Sequence, residues 1–108
     1  MLEIRLERRA EGLCLEAKGH AGCGVRGRDL VCARASMLAQ TLRAALAEAE
    51  RAGAGRLEQA QLQSGQGYIL FSPRGGDGRA AQIFATVRAG FALLAEAAPE
   101  AVRLAGNL

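Results

Sequence analysis

The sequence predicts an α+β fold, a mainly antiparallel sheet packed with two helices, in the order ββαββα. Three observations carry this. Residues 2–18 alternate apolar and charged side chains with period two. Residues 29–52 switch to apolar positions every three or four. Both periods then recur, in strand-like form over 57–73 and in helix-like form from residue 79.

The first strand places Leu2, Ile4 and Leu6 on one side and Glu3, Arg5 and Glu7 on the other. The second does the same, with Leu13, Leu15 and Ala17 facing in and Glu16 and Lys18 facing out. Cys14 is out of phase with Leu13 and Leu15, so it faces away from the main core and is expected to be inert. The link Arg9 to Gly12 is short and polar, which makes the pair a hairpin.

Residues 19–28, GHAGCGVRGR, are the most glycine-dense stretch of the chain. A backbone of this kind can lie close to a ligand. The first helix is expected from Asp29 to about Ala52. Val31, Ala35, Leu38, Leu42, Ala45 and Ala49 form its apolar stripe. Asp29 stands where an N-cap belongs, and Gly53 and Gly55 close the helix. A second strand pair follows over 57–63 and 67–73, turning at Ser64 to Gln66. LEQAQLQ is its weak member and GYILFSP its strong one. PRGGDGR is a loop. It resembles a phosphate-binding loop only in its glycines, because it lacks the Gly-Lys-Ser/Thr ending. The last helix runs from Arg79 with Ile83, Val87, Phe91 and Leu94 on one face, and Pro99 ends it. The tail is expected to dock through Val102 and Leu104.

The 108 residues are read as one domain, with no linker and no low-complexity tract. Half of the residues are hydrophobic but only 4% are aromatic, so the core is aliphatic, with Phe71, Phe84 and Phe91 as its largest pieces. No uncharged apolar run reaches the length needed to span a bilayer, about 20 residues, and MLEIRLERR is not a signal sequence. A cytoplasmic address and no membrane partner are therefore expected. Three cysteines do not make a disulfide scaffold. A net charge of +3 is too mild to imply nucleic acid.

Chemistry points to two residues. His20 is the only histidine. Cys32 follows twelve residues later, in the first turn of the expected helix. The thiolate is the nucleophile of cysteine chemistry. Ionising a thiol two units below its ordinary pKa of about 8.5 takes roughly 2.7 kcal/mol. A helix N-terminus and an imidazolium both favour the anion. The free N–H groups near residues 31–33 are candidate oxyanion donors, and His20 is the candidate general base and acid. Against this stands the common case of a buried structural cysteine. Cys23, in the loop, is the competing exposed thiol.

The stretch GHAGCGVRGRDLVCARAS, residues 19–36, resembles the ribosomal-processing cysteine protease family known as Prp. Gly19-His20-Ala21, Asp29-Leu30-Val31-Cys32-Ala33 and Ser36 fall in the family's register, and length and element order agree across nearly the whole chain. The resemblance implies an endopeptidase that removes the N-terminal extension of a bacterial large-subunit ribosomal protein. It implies Cys32 and His20 as the catalytic dyad and Asp29 and Ser36 as supporting residues. Ser36 lies one helical turn from Cys32, on the same side. Gly19, Ala21, Gly22, Gly24 and Gly27 would belong to a substrate loop. The resemblance also implies a homodimer, with no metal and no cofactor. Arg34 and Cys23 depart from the family pattern, the first for a small apolar residue and the second for an aromatic.

Two other readings remain open at this point. Cys14, His20, Cys23 and Cys32 are a zinc set by type, although without a Cys-x-x-Cys pair. Arg26, Arg28 and Arg34 suggest a noncatalytic ribosome- or RNA-binding module, but no aromatic stacking residues accompany them. Direct nucleic-acid binding is not expected.

Overall fold

The computed structural model describes residues 1–19, 28–63 and 66–108, without the side chains of Arg28 and Asp29. The elements are β1 (Leu2–Arg9), β2 (Gly12–Gly19), α1 (Arg28–Arg51), β3 (Gly55–Gln63), β4 (Gln66–Pro73), α2 (Arg79–Ala97) and β5 (Val102–Ala105). The strands form one sheet in the order β3-β4-β2-β1-β5. All neighbours are antiparallel except β1 and β5, which run parallel.

Register follows the period-two pattern. Leu6 faces Leu15 and Ile4 faces Ala17 across β1 and β2. Leu15 in turn faces Ile69, and Leu13 faces Phe71, across β2 and β4. These side chains share one face of the sheet, and both helices pack there. The core joins them to Leu42 and Leu46 of α1 and to Phe84 and Phe91 of α2. Burying one such side chain contributes about 1.5–3 kcal/mol.

Turn chemistry sets the joints. The β1–β2 hairpin closes around Ala10 and Glu11. At Gly12, φ is +144°, and a Cβ there would run into the Phe71 carbonyl oxygen, so only glycine fits. Helix α1 ends in a Schellman motif. The Ala54 N–H donates to the Ala49 carbonyl and the Gly53 N–H to the Glu50 carbonyl, with Gly53 at φ +85°. The Gly75-Gly76-Asp77-Gly78 loop is a turn, as expected. The Asp77 carboxylate accepts the Arg79 backbone N–H at 2.9 Å and pairs with its guanidinium at 2.7 Å. It therefore serves the start of α2, whose N-cap position, Gly78, has no side chain to offer.

Helix α2 is long and apolar enough on average to pass for a membrane span. Here its Ala80, Phe84, Val87, Phe91 and Leu94 form a buried stripe facing the core. Gly90 admits α1 closely, since a Cβ there would lie 2.5 Å from the end of the Leu38 side chain.

Two expectations are corrected. The tail does not merely dock. It forms β5, with Val102 beside Leu2 and Leu104 beside Ile4. Beyond β5 the pairing is continued by other means. The Asn107 side-chain oxygen accepts the Arg8 N–H at 2.7 Å, and the Leu108 N–H donates to the Leu6 carbonyl. Helix α1 also begins at Arg28 rather than after Asp29, so Asp29 is inside the first turn and not its cap. Boundaries of this kind follow the backbone hydrogen bonds, which a capping side chain does not reveal by itself. The turn expected at Ser64 and Gly65 lies outside the described residues.

Candidate active site

Side-chain size decides where the fold stays open. In the C-terminal half of α1, Leu42 and Leu46 reach the sheet and are fully buried. In the N-terminal half the inward positions are Cys32, Ala35, Ser36 and Ala39, which are too short to close the same gap. The opposing sheet positions are small as well, at Ala17, Gly19 and Gly67. The result is a cleft of about 410 Å³ between the start of α1 and the ends of four strands. Leu2, Ile4 and Leu62 complete its apolar walls, and Gln40, Gln63 and Gln66 bring amides to it.

Cys32 lines this cleft and is half-buried, with one side packed on the core. Ser36, exposed and one turn further along α1, lines the same wall. The expected i, i+4 relation is therefore present. Gly19 lines the opposite side, at the end of β2. Its φ is +89°, and a Cβ would strike the Met1 carbonyl oxygen, so the residue preceding His20 must be glycine for this close approach. His20, Ala21, Gly22, Cys23, Gly24 and Gly27 lie outside the described residues, as does the Asp29 side chain. Arg34 is exposed and does not line the cleft.

The helix start changes one expectation. With α1 beginning at Arg28, Cys32 is its fifth residue, not its third. The unpaired N–H groups of a helix belong to its first turn. Those of Cys32 and Ala33 lie one turn beyond Arg28 and Asp29, within the helical ladder, and are not the free donors the sequence suggested.

Cys14 is on the other face of the sheet and only 1% exposed. It faces away from the helices as expected, but it is covered rather than open. Glu7 and Leu70 are its cross-strand neighbours. Around it runs a ladder of ion pairs: Arg5 to Glu7 at 2.9 Å, Arg9 to Glu7 at 2.9 Å, Lys18 to Glu16 at 3.3 Å. Hydrogen bonds from Arg9 and Arg5 hold the Glu7 carboxyl below its ordinary range. Burial pushes the Cys14 thiol up, with the Tyr68 hydroxyl and Arg9 opposing it. Cys14 and Cys32 lie on opposite faces of the sheet, so the four-ligand zinc set does not assemble. Among the described residues no three His, Cys, Asp or Glu side chains gather as metal ligands.

The profile described as cysteine protease Prp matches residues 1–103. The chain belongs to the Prp family of cysteine proteases. No curated protein sequence matches it. Among solved structures it is similar to the essential ribosomal processing protease Prp from S. aureus bound to a covalently linked product peptide. That likeness has 23% identity and a TM-score of 0.73, covering 99% of this chain and 100% of that one. The same S. aureus protein with a substrate peptide matches at 22% identity and the same TM-score, with 99% and 100% coverage. SMU.848 from Streptococcus mutans matches at 28% identity and a TM-score of 0.68, covering 98% of this chain and 93% of that one. Membership in the Prp family makes the chain a cysteine protease, and its fold is the one those structures share.

Sequence reasoning missed the glutamines and Gly67 in the cleft. Their only signal was polar composition at the ends of a predicted strand pair. It also missed that Ala35, read as core stripe, lines an opening together with Ala33 and Ala39.

Proposed function

We propose that the chain cleaves a peptide bond through an acyl-enzyme on Cys32, with His20 as general base and then general acid. One observation carries this reading: Cys32 and Gly19, the residue before the only histidine, line the same cleft. The chain leaves β2 at one wall and re-enters α1 four residues ahead of the thiol. His20 takes the thiol proton, and the Cys32 sulfur attacks the substrate carbonyl carbon. The C–N bond breaks as His20 gives that proton to the leaving amine. Water, deprotonated by the same ring, then cleaves the thioester and restores the thiol. The helix dipole falls off within the first turn, so activation of the fifth residue of α1 depends mainly on the imidazole. Asp29 and Ser36 support the site, and residues 19–27 form the substrate loop.

The substrate in this reading is the N-terminal extension of a bacterial large-subunit ribosomal protein, processed in the cytoplasm by a homodimer. The S. aureus relatives described as ribosomal processing proteases support that choice. So does the apolar cleft, which suits a bulky apolar side chain of an extended peptide. The test is incubation of the chain with the precursor ribosomal protein of the same organism, followed by mass spectrometry. A shortened N-terminus that requires both Cys32 and His20 is the expected result. Full activity of Cys32→Ala with loss in Cys23→Ala would overturn the assignment. Light scattering or ultracentrifugation decides the dimer.

A further inference from the structure

One wall of the cleft carries three polar side chains at equal intervals. Cys32, Ser36 and Gln40 line it at i, i+4 and i+8 of α1. Four helical residues advance about 6 Å. Two residues of an extended chain advance about 6.7 Å, and carbonyls two residues apart point the same way. Consider a peptide lying along α1 with its scissile carbonyl at the Cys32 sulfur. The carbonyl two residues along then comes to Ser36, and the one four residues along comes to Gln40. The mismatch grows to only about 1.4 Å at Gln40, within the swing of its long side chain.

The two groups beyond Cys32 are set to donate. A hydroxyl inside a helix often bonds back to the carbonyl four residues earlier. Among the described residues Thr41 does so to Met37 at 2.7 Å and Thr86 to Gln82 at 2.9 Å, and Ser36 does not. Half-buried Gln40 is more constrained. Its Oε1 accepts from both Nε and Nη2 of Arg43, at 3.1 and 2.9 Å. A guanidinium only donates, so this pair fixes which end of the amide is the oxygen. The amide nitrogen, with its two N–H donors, is left on the side away from Arg43. Arg43 lies C-terminal to Gln40 on α1, whereas Ser36 and Cys32 lie N-terminal to it.

We infer that Gln40 binds the main chain of the substrate. Its amide N–H donates to the peptide carbonyl four residues from the scissile one, and Arg43 is a positioning residue that holds the amide in this orientation. The inference rests on the protease reading of Cys32. A contact of this kind reads backbone and not side chain. It sets the register of an extended peptide along α1 whatever residues that peptide carries.

The test removes the donor and the acceptor separately. KM and kcat are measured for the wild type, Gln40→Ala, Gln40→Glu and Arg43→Ala on a peptide that the wild type cuts. The same peptide is also made with a single thioamide four residues from the scissile bond, on either side. A thioamide keeps its N–H, but its sulfur accepts a hydrogen bond poorly. Losing one neutral hydrogen bond should raise KM about fivefold with kcat held within about twofold. Gln40→Glu separates contact from structure. Its carboxylate still accepts from Arg43, more strongly than the amide does, yet it cannot donate, so its KM should rise at least as far as that of Gln40→Ala. Arg43→Ala should raise KM about twofold, and add nothing once Gln40 is alanine. In the wild type, which needs no altered chain to fold, one of the two thioamides should raise KM about fivefold. In Gln40→Ala that thioamide should cost nothing more. An unchanged KM in Gln40→Glu, or thioamide and Gln40→Ala penalties that add in full, overturns the contact while leaving the Cys32 reading standing. A wild-type chain that cuts no peptide overturns both.

Discussion

The two faces of the sheet treat a cysteine in opposite ways. On the helix side, Cys32 stands in an opening because its neighbours on α1 are alanine and serine, and because glycine and alanine face it from the strands. On the other side, Cys14 has no helix above it and yet is sealed, because long side chains of β1, β2 and β4 fold across it. Exposure of a thiol here depends on the size of its neighbours and not on which layer it occupies. A two-layer fold buries residues on its uncovered face when Arg, Glu and Tyr lie down over them.

Three experiments break or sharpen that contrast, and a fourth checks the loop before α2. The largest effect is expected from Cys32→Ala, which should lower kcat/KM at least about a thousandfold, as loss of a nucleophile does. Cys14→Ala should leave activity within twofold and cost about 1 kcal/mol of stability for the small cavity. Chemical unfolding together with peptide cleavage separates the two. Next in size is alkylation. In the folded chain iodoacetamide should modify Cys32 at least about a hundredfold faster than Cys14, which must wait for local opening. Peptide mapping by mass spectrometry reads the ratio, and equal rates would remove the contrast. Third, Ala39→Leu gives the first half of α1 the reach that Leu42 and Leu46 give the second. It should fill the cleft and raise KM about tenfold, with the melting temperature shifting by no more than a few degrees.

The smallest effect concerns Asp77, in the loop before α2. Arg79 holds its carboxyl down to about 2, against 3.8 when unpaired. A depressed carboxylate stabilises the fold above its unfolded pKa and loses that contribution as pH falls through the folded one. Asp77→Asn should therefore lower the melting temperature by a degree or two at pH 7. The gap between variant and wild type should narrow as pH drops from about 4 to 2. Circular dichroism melts across that range check it. A gap that stays constant would mean the side chain acts only as a hydrogen-bond acceptor for the start of α2.

Much of this was legible from periodicity, because the strands that carry it are half-buried. In β1, Leu2, Ile4 and Leu6 alternate with charges for the simple reason that one face meets helices and the other meets water. The weak pattern of β3 has a physical source too: it is an edge strand, and its register shifts between Leu57 and Gln59. The Cys32–Ser36 spacing placed both on one wall of the cleft, as a helix must. The start of α1 was misread because Asp29 has the chemistry of a cap, whereas the backbone already turns at Arg28. The fifth strand was invisible for a different reason. VRLA is only four residues long and has no local partner, and its pairing with β1 is fixed only after α2 has carried the chain across the core.

That last pairing gives the fold a late step. Leu2 and Val102 are neighbours in space and nearly a full chain length apart in sequence. Closing so long a loop comes at an entropic penalty that no nearby contact offsets. Until β5 arrives, β1 presents an open edge of unpaired N–H and C=O groups, ready to recruit a strand from another copy. A chain interrupted before Val102 would thus be prone to self-association even with every residue around Cys32 in place, and aggregation would set in before catalysis was ever tested.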